Sequence, residues 1–201
     1  VGATLGLGAP GLMVGNELVY PYCYKTYKIL DNGPLRFTVE LTYNPTIVVD
    51  QKNVIEHRII SLDKGSNFNK MTVWYDGLTH PTDFVTGVPI HEEDTETKTL
   101  AKDYVSYADP TDNIENNSQV YVGVLFPDGI DETYYQLFDT KHDGATGHIL
   151  GLHRALKSGE KFSYYFGAAW SKYDVRSYAE WQLRIKGFMD DQKTPLQVSI
   201  Q

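Results

Sequence analysis

The densest grouping of chemically capable side chains runs from Val19 to Tyr43, VYPYCYKTYKILDNGPLRFTVELTY. Between Tyr20 and Lys28 it places four tyrosines and two lysines in nine residues. Phenols can stack on a sugar ring or carry a proton, and ammonium groups can neutralise a carboxylate. Two strands joined by a turn at Asp31-Asn32-Gly33-Pro34 are predicted, and alternation puts Tyr20, Tyr22 and Tyr24 on one face of the first, with Cys23, Lys25 and Tyr27 on the other. The second strand alternates Leu35, Phe37, Val39 and Leu41 against Arg36, Thr38, Glu40 and Thr42, the pattern of a supporting strand.

Proton transfer needs a group of suitable pKa at a cleft, and His91 is the first choice, because it closes a strand at an expected cleft rim and is followed by Glu92 and Glu93, which would hold it protonated or oriented. A solvated surface histidine is the bland alternative. Tyr22 and Tyr24 are the next candidates for acid–base or stacking work, against a packed aromatic ladder. Lys25 and Arg58 can hold a carboxylate, although Arg58 can instead pair with Glu56, two residues away on the same strand face. Trp170 and Lys172, in AAWSKYD at a strand end, could stack on and bind a sugar, though Trp170 suits a core equally well. His148 fits a satisfied buried histidine.

Metal chemistry has weak support. Asp109, Asp112, Asn113 and Glu115 could offer oxygens to calcium, but EF-hand spacing is absent, and neither HExxH nor GxSxG occurs. No cofactor is expected: Gly6-Leu7-Gly8-Ala9-Pro10-Gly11 has the letters of a dinucleotide fingerprint without a preceding strand, and Pro10 is badly placed for a helix. A backbone loop rimming a cleft is the expected use of this Gly-rich start.

The elements that must position these groups are β-strands. The chain has 201 residues, 13% aromatic and 22% charged, which excludes disorder for most of its length and fits one β-sandwich domain over residues 1–201. A net charge of -8 argues against nucleic acid and anionic membrane as partners, and no stretch is apolar enough to span a bilayer. One cysteine, Cys23, allows no internal disulfide. Strands are predicted over 54–62, 68–75, 81–91, 102–108, 120–126, 147–156, 161–170 and 196–200, a recurrence at roughly ten residues that marks an all-β chain. One helix is predicted, Ser177 to Met189, capped by Asp174 or Ser177, with Tyr178, Trp181, Ile185 and Phe188 forming its apolar stripe. The start at Val1, without an initiator Met, reads as the C-terminal part of a longer chain.

The series DNGPLRFTVELTY, RIISLDKGS, NKMTVWYDG, YADPTDN, VYVGVLFPD and FSYYFGAAWSKYD resembles a bacterial domain-of-unknown-function family from polysaccharide-utilisation loci. The resemblance runs from Tyr20 to Ile200 and implies a galactose-mutarotase-like β-supersandwich, similar to an ulvan-oligosaccharide dehydratase. It also implies a periplasmic or secreted bacterial protein whose partner is an acidic oligosaccharide. The expected reaction is β-elimination from a uronic acid: a cation neutralises the carboxylate, a base removes the C5 proton, and an acid protonates the departing oxygen. Tyr and His would carry the protons. The rival reading is a non-catalytic carbohydrate-binding or structural module. Oligomeric state is not legible.

Overall fold

The recurring short apolar runs are satisfied by two antiparallel sheets packed face to face. The computed structural model describes residues 4–91, 96–194 and 196. Its strands are β1 (Pro10–Val14), β2 (Glu17–Val19), β3 (Tyr24–Asn32), β4 (Arg36–Tyr43), β5 (Thr46–Val48), β6 (Gln51–Asp63), β7 (Phe68–Asp76), β8 (Thr82–Ile90), β9 (Lys98–Leu100), β10 (Tyr104–Asp109), β11 (Val120–Leu125), β12 (Glu132–His142), β13 (Ala145–Leu156) and β14 (Phe162–Trp170). Two helices accompany them, the single-turn α1 (Ile114–Asn117) and α2 (Tyr178–Lys193). Among the described residues, a five-stranded sheet has the order β12-β13-β8-β1-β2, and a nine-stranded sheet runs β3-β4-β6-β7-β14-β11-β10-β9, with β5 paired to β6. The chain is therefore an all-β antiparallel sandwich with one long C-terminal helix, as its sequence predicts.

Between the sheets lies the principal core, built from Leu12, Val73, Phe84, Val88, Val105, Tyr107, Val124, Phe126, Ile149 and Tyr164. Helix α2 seals part of the outer face of the large sheet by laying Trp181, Ile185 and Met189 on Tyr104, Tyr121 and Ala169. Its start follows from Ser177-Tyr178-Ala179-Glu180: the Ser177 hydroxyl accepts from the Glu180 N–H, and Glu180 reaches back to the Arg176 N–H. Asp174, the other candidate cap, instead accepts from Asn67 and Arg184.

Three expectations are corrected. The Gly-rich start does not simply rim a cleft: Pro10–Val14 is a strand between β8 and β2, since alternation sends Leu12 into the inner core and Met13 to the outer face. Tyr20, Tyr22 and Tyr24 do not share one strand. Strand β2 ends at Val19 and β3 begins at Tyr24, so Tyr20 to Cys23 carry the chain from the small sheet to the large one. Pro21 in this crossover has no N–H for a ladder bond, which explains why pairing stops there. Strand β12 was not anticipated, because Glu132 to His142 shows no clean alternation. The final strand expected over 196–200 falls, but for Leu196, outside the described residues. Among the described residues no helix is long and apolar enough to cross a membrane.

Candidate functional site

Strand β3 is the edge of the large sheet, and its register against β4 decides which side chains work together. Tyr24 lies opposite Tyr43, but Thr26 lies opposite Thr42, so Lys25 is an extra residue in a bulge. Beyond the bulge Tyr27 faces Leu41 and Ile29 faces Val39. The inserted residue shifts the alternation by one, and Tyr24 and Tyr27 come to the same face, where their rings meet edge to face at 6.4 Å and 88°. Strict alternation, which separates these two tyrosines, is thereby corrected.

That face is continuous with the inner side of the sandwich. Cross-strand pairs carry it from Val39, Leu41 and Phe37 on β4 to Ile60, Arg58 and Leu62 on β6. Ile60 packs on the principal core, but the small sheet sits over β10 and β11 and stops short of β3 and β4. Tyr24 is thus 51% exposed and Tyr27 65%, and Ile29, Phe37 and Leu62 are also open. The result is an aromatic and aliphatic overhang with one side uncovered.

At the covered end of this face stands a charged group. The Arg58 Nε donates to Glu56 Oε1 at 2.5 Å, and the Tyr75 hydroxyl donates to Glu56 Oε2 at 2.8 Å. The Arg58 guanidinium also lies 4.2 Å from the centre of the Tyr43 ring. Glu56 is 2% exposed, and burial pushes its carboxyl up against the opposing pull of Arg58 and Tyr75. Burial likewise raises the Tyr75 and Tyr43 phenols. The Arg58 Nη groups have no protein acceptor among the described residues. Beside the cluster, a gap of about 10 Å³ lined by Tyr20, Glu56 and Tyr75 has room for one water.

The remaining predicted residues are distributed elsewhere. Tyr22 stands in the crossover, 93% exposed, and Lys25 occupies the bulge. Trp170 and Lys172 lie at the other end of the large sheet, since β14 runs from Phe162 opposite Val73 to Trp170 opposite Val120. There the Trp170 Nε1 donates to the Asn117 carbonyl at 2.7 Å and the Lys172 ammonium to that of Asn116, so both pin the loop around α1. His91 pairs through Nδ1 with Asp109 at 3.0 Å and lines a separate cleft with Thr111, Asp112 and Asp143. Glu92 and Glu93 lie outside the described residues. Of the candidates, Tyr24 at the open edge and Arg58 at the covered end share one face of the large sheet, Tyr22 and Lys25 stand in the crossover and the bulge beside it, and His91, Trp170 and Lys172 do not reach it.

Sequence reasoning missed Tyr27, Tyr43 and Tyr75. Nothing local announces the bulge that turns Tyr27 round, and Tyr75 meets Glu56 only through strand register. His148 is the buried, satisfied histidine that its apolar strand suggested: Nε2 accepts from the Leu5 N–H at 3.0 Å, and Nδ1 is 3.2 Å from Gln136 Oε1. Asn113, among the proposed calcium oxygens, accepts from the Asn116 N–H as the cap of α1. Among the described residues no three His, Cys, Asp or Glu side chains gather as a metal site.

Comparison with known proteins gives one curated relative, "Uncharacterized protein P7" of Formosa agariphila, 25% identical over 206 residues. The match takes in 100% of this chain and 49% of that protein, so the chain spans about half the length of the relative. The family model described as "Domain of unknown function (DUF4861)" matches residues 1–198. Nearly the whole sandwich, including the bulged tyrosine edge and the Glu56–Arg58 pair, falls inside that match, and the chain belongs to the DUF4861 family.

Proposed function

We propose that the open inner face of the large sheet binds a uronic-acid-containing oligosaccharide and that the protein acts on it by β-elimination. One observation carries this reading: Tyr24 and Tyr27 are held at right angles on a face the small sheet leaves uncovered, with Arg58 set into the same face. Sugar rings present C–H faces that pack on aromatic side chains, and a guanidinium suits a carboxylate. The net charge of -8 opposes an anionic ligand at long range, so Arg58 and Lys25 must act locally, where screening matters least.

Arg58 draws charge from the carboxylate as the C5 proton is removed. The electron pair forms the C4–C5 double bond, and the C4–O bond breaks with protonation of the departing oxygen. Tyr24, on the open face, is assigned both transfers: its phenolic oxygen takes up the C5 proton and its O–H delivers a proton to the departing C4 oxygen. The buried Tyr75–Glu56 pair holds Arg58 in place.

A non-catalytic binding module is favoured by one fact, that His91 lies away from this face. Calorimetry with a panel of uronic-acid oligosaccharides, run beside near-ultraviolet absorbance, separates the readings. Binding with growing absorbance, the mark of a conjugated uronate, and loss of that growth in Tyr24→Phe support elimination. Binding without absorbance leaves the module, and no binding to any panel member rejects the face as a uronate site.

A further inference from the structure

Strand β12 pairs regularly with β13 only as far as Leu137, and the register is not recovered until His142 meets Ala145. The residues between bulge away from the ladder, and the cleft they form with the β1–β2 hairpin has a volume of about 410 Å³. It is lined by four rings, Tyr20, Phe138, His142 and, at the base, His148, and by the polar groups of Asn16, Gln136 and Asp139. This cleft is separate from the open face of the large sheet: His148, at its base, shares β13 with residues of the small sheet's outer cluster.

The lining is held in position from below. His148 is 1% exposed, with Nε2 engaged by the Leu5 N–H and Nδ1 by Gln136 Oε1. The latter bond fixes the Gln136 amide by its oxygen and leaves the NH₂ group as a donor. Phe138 stands edge-on to His148 at 4.9 Å and 90°, and to His142 at 5.0 Å and 76°. The Phe138 ring is therefore clamped between two imidazoles, and side chains held this way lose little entropy on binding.

We propose that this cleft is a binding site for a neutral saccharide. Sugar hydroxyls are donors and acceptors at once. Two amides and a carboxylate match them, while the rings take the apolar faces. Among the described residues no Lys or Arg lines the cleft, and Asp139 repels carboxylates, so it selects against the uronic acids assigned to the other face. Tyr20 lines both this cleft and the gap beside Glu56 and Tyr75, which makes it the wall between the two sites.

The test is ligand-detected NMR and calorimetry on the protein at its natural length, with gluco-, galacto-, manno- and xylo-oligosaccharides as probes. At least one neutral probe is expected to bind, with affinity falling about tenfold in Phe138→Ala and in Asp139→Ala and unchanged in Tyr24→Ala. If Phe138→Ala does not fold, Asn16→Ala and Asp139→Ala, both near the surface, carry the same test. Absence of binding by every neutral probe, or affinities indifferent to Asn16, Phe138 and Asp139, overturns the proposal. Failure of the uronate reading registers separately, as uronate affinity that Tyr24→Ala leaves intact.

Discussion

At the scale of single residues, the Glu56–Arg58 pair shows what was legible and what was not. Two charged residues two apart on a strand share a face, so their pairing is readable from spacing alone. Tyr75, which completes the cluster, lies on the next strand and depends on register that no local pattern displays. Removing Arg58 leaves the Glu56 carboxylate buried beside a phenol. Arg58→Ala is expected to lower unfolding free energy by about 3–5 kcal/mol in chemical denaturation. On the ligand side, Tyr24→Ala and Tyr27→Ala are each expected to weaken uronate-oligosaccharide affinity about tenfold. Tyr22→Ala, which removes a ring far from any neighbour in the sheet, should leave affinity unchanged in the same calorimetric titration.

At the scale of elements, helix α2 was readable because its cap, its stripe and its length agree, and it begins one residue after Ser177. Strand β3 was misread because a bulge is a property of two strands together. Deleting Lys25 removes the bulge and leaves Tyr24 and Tyr27 two residues apart in a regular ladder, so both stay on the same face. The deletion should therefore weaken uronate affinity less than Tyr24→Ala does, losing only the Lys25 charge, while leaving the melting temperature near that of the parent, since the edge is exposed.

Strand β13 supports a second prediction. Burial pushes the His148 imidazole down to about 4, against an ordinary value near 6.5. A depressed histidine contributes stability that is full above about pH 6.5 and is lost as the pH falls through about 4. The contribution is on the order of 3 kcal/mol. Denaturation midpoints across this range should therefore fall more steeply in the parent than in His148→Asn, and parallel profiles would remove His148 as the cause.

At the scale of the molecule, recurrence of short strands with turns announces two antiparallel sheets, and that much of the fold was legible. Which part of a sheet stays uncovered was not, because it follows from the mismatch between five strands and nine and from where the smaller sheet settles. The same mismatch explains why candidates that look equivalent along the chain divide between two ends of the sandwich. On the outer side α2 does the covering, and Trp181, wholly buried against Phe68, is its anchor. Trp181→Ala is expected to cost roughly 3–5 kcal/mol, read as a lowered thermal midpoint.

The central claim is that the uncovered tyrosine face receives an acidic sugar. Titrating a uronic-acid tetrasaccharide into isotopically labelled protein tests it most directly. The expected result is saturable displacement of the Tyr24 and Tyr27 ring resonances together with the Arg58 Nε signal. Saturable displacement confined to the His91 cleft, with these three unmoved, would contradict it.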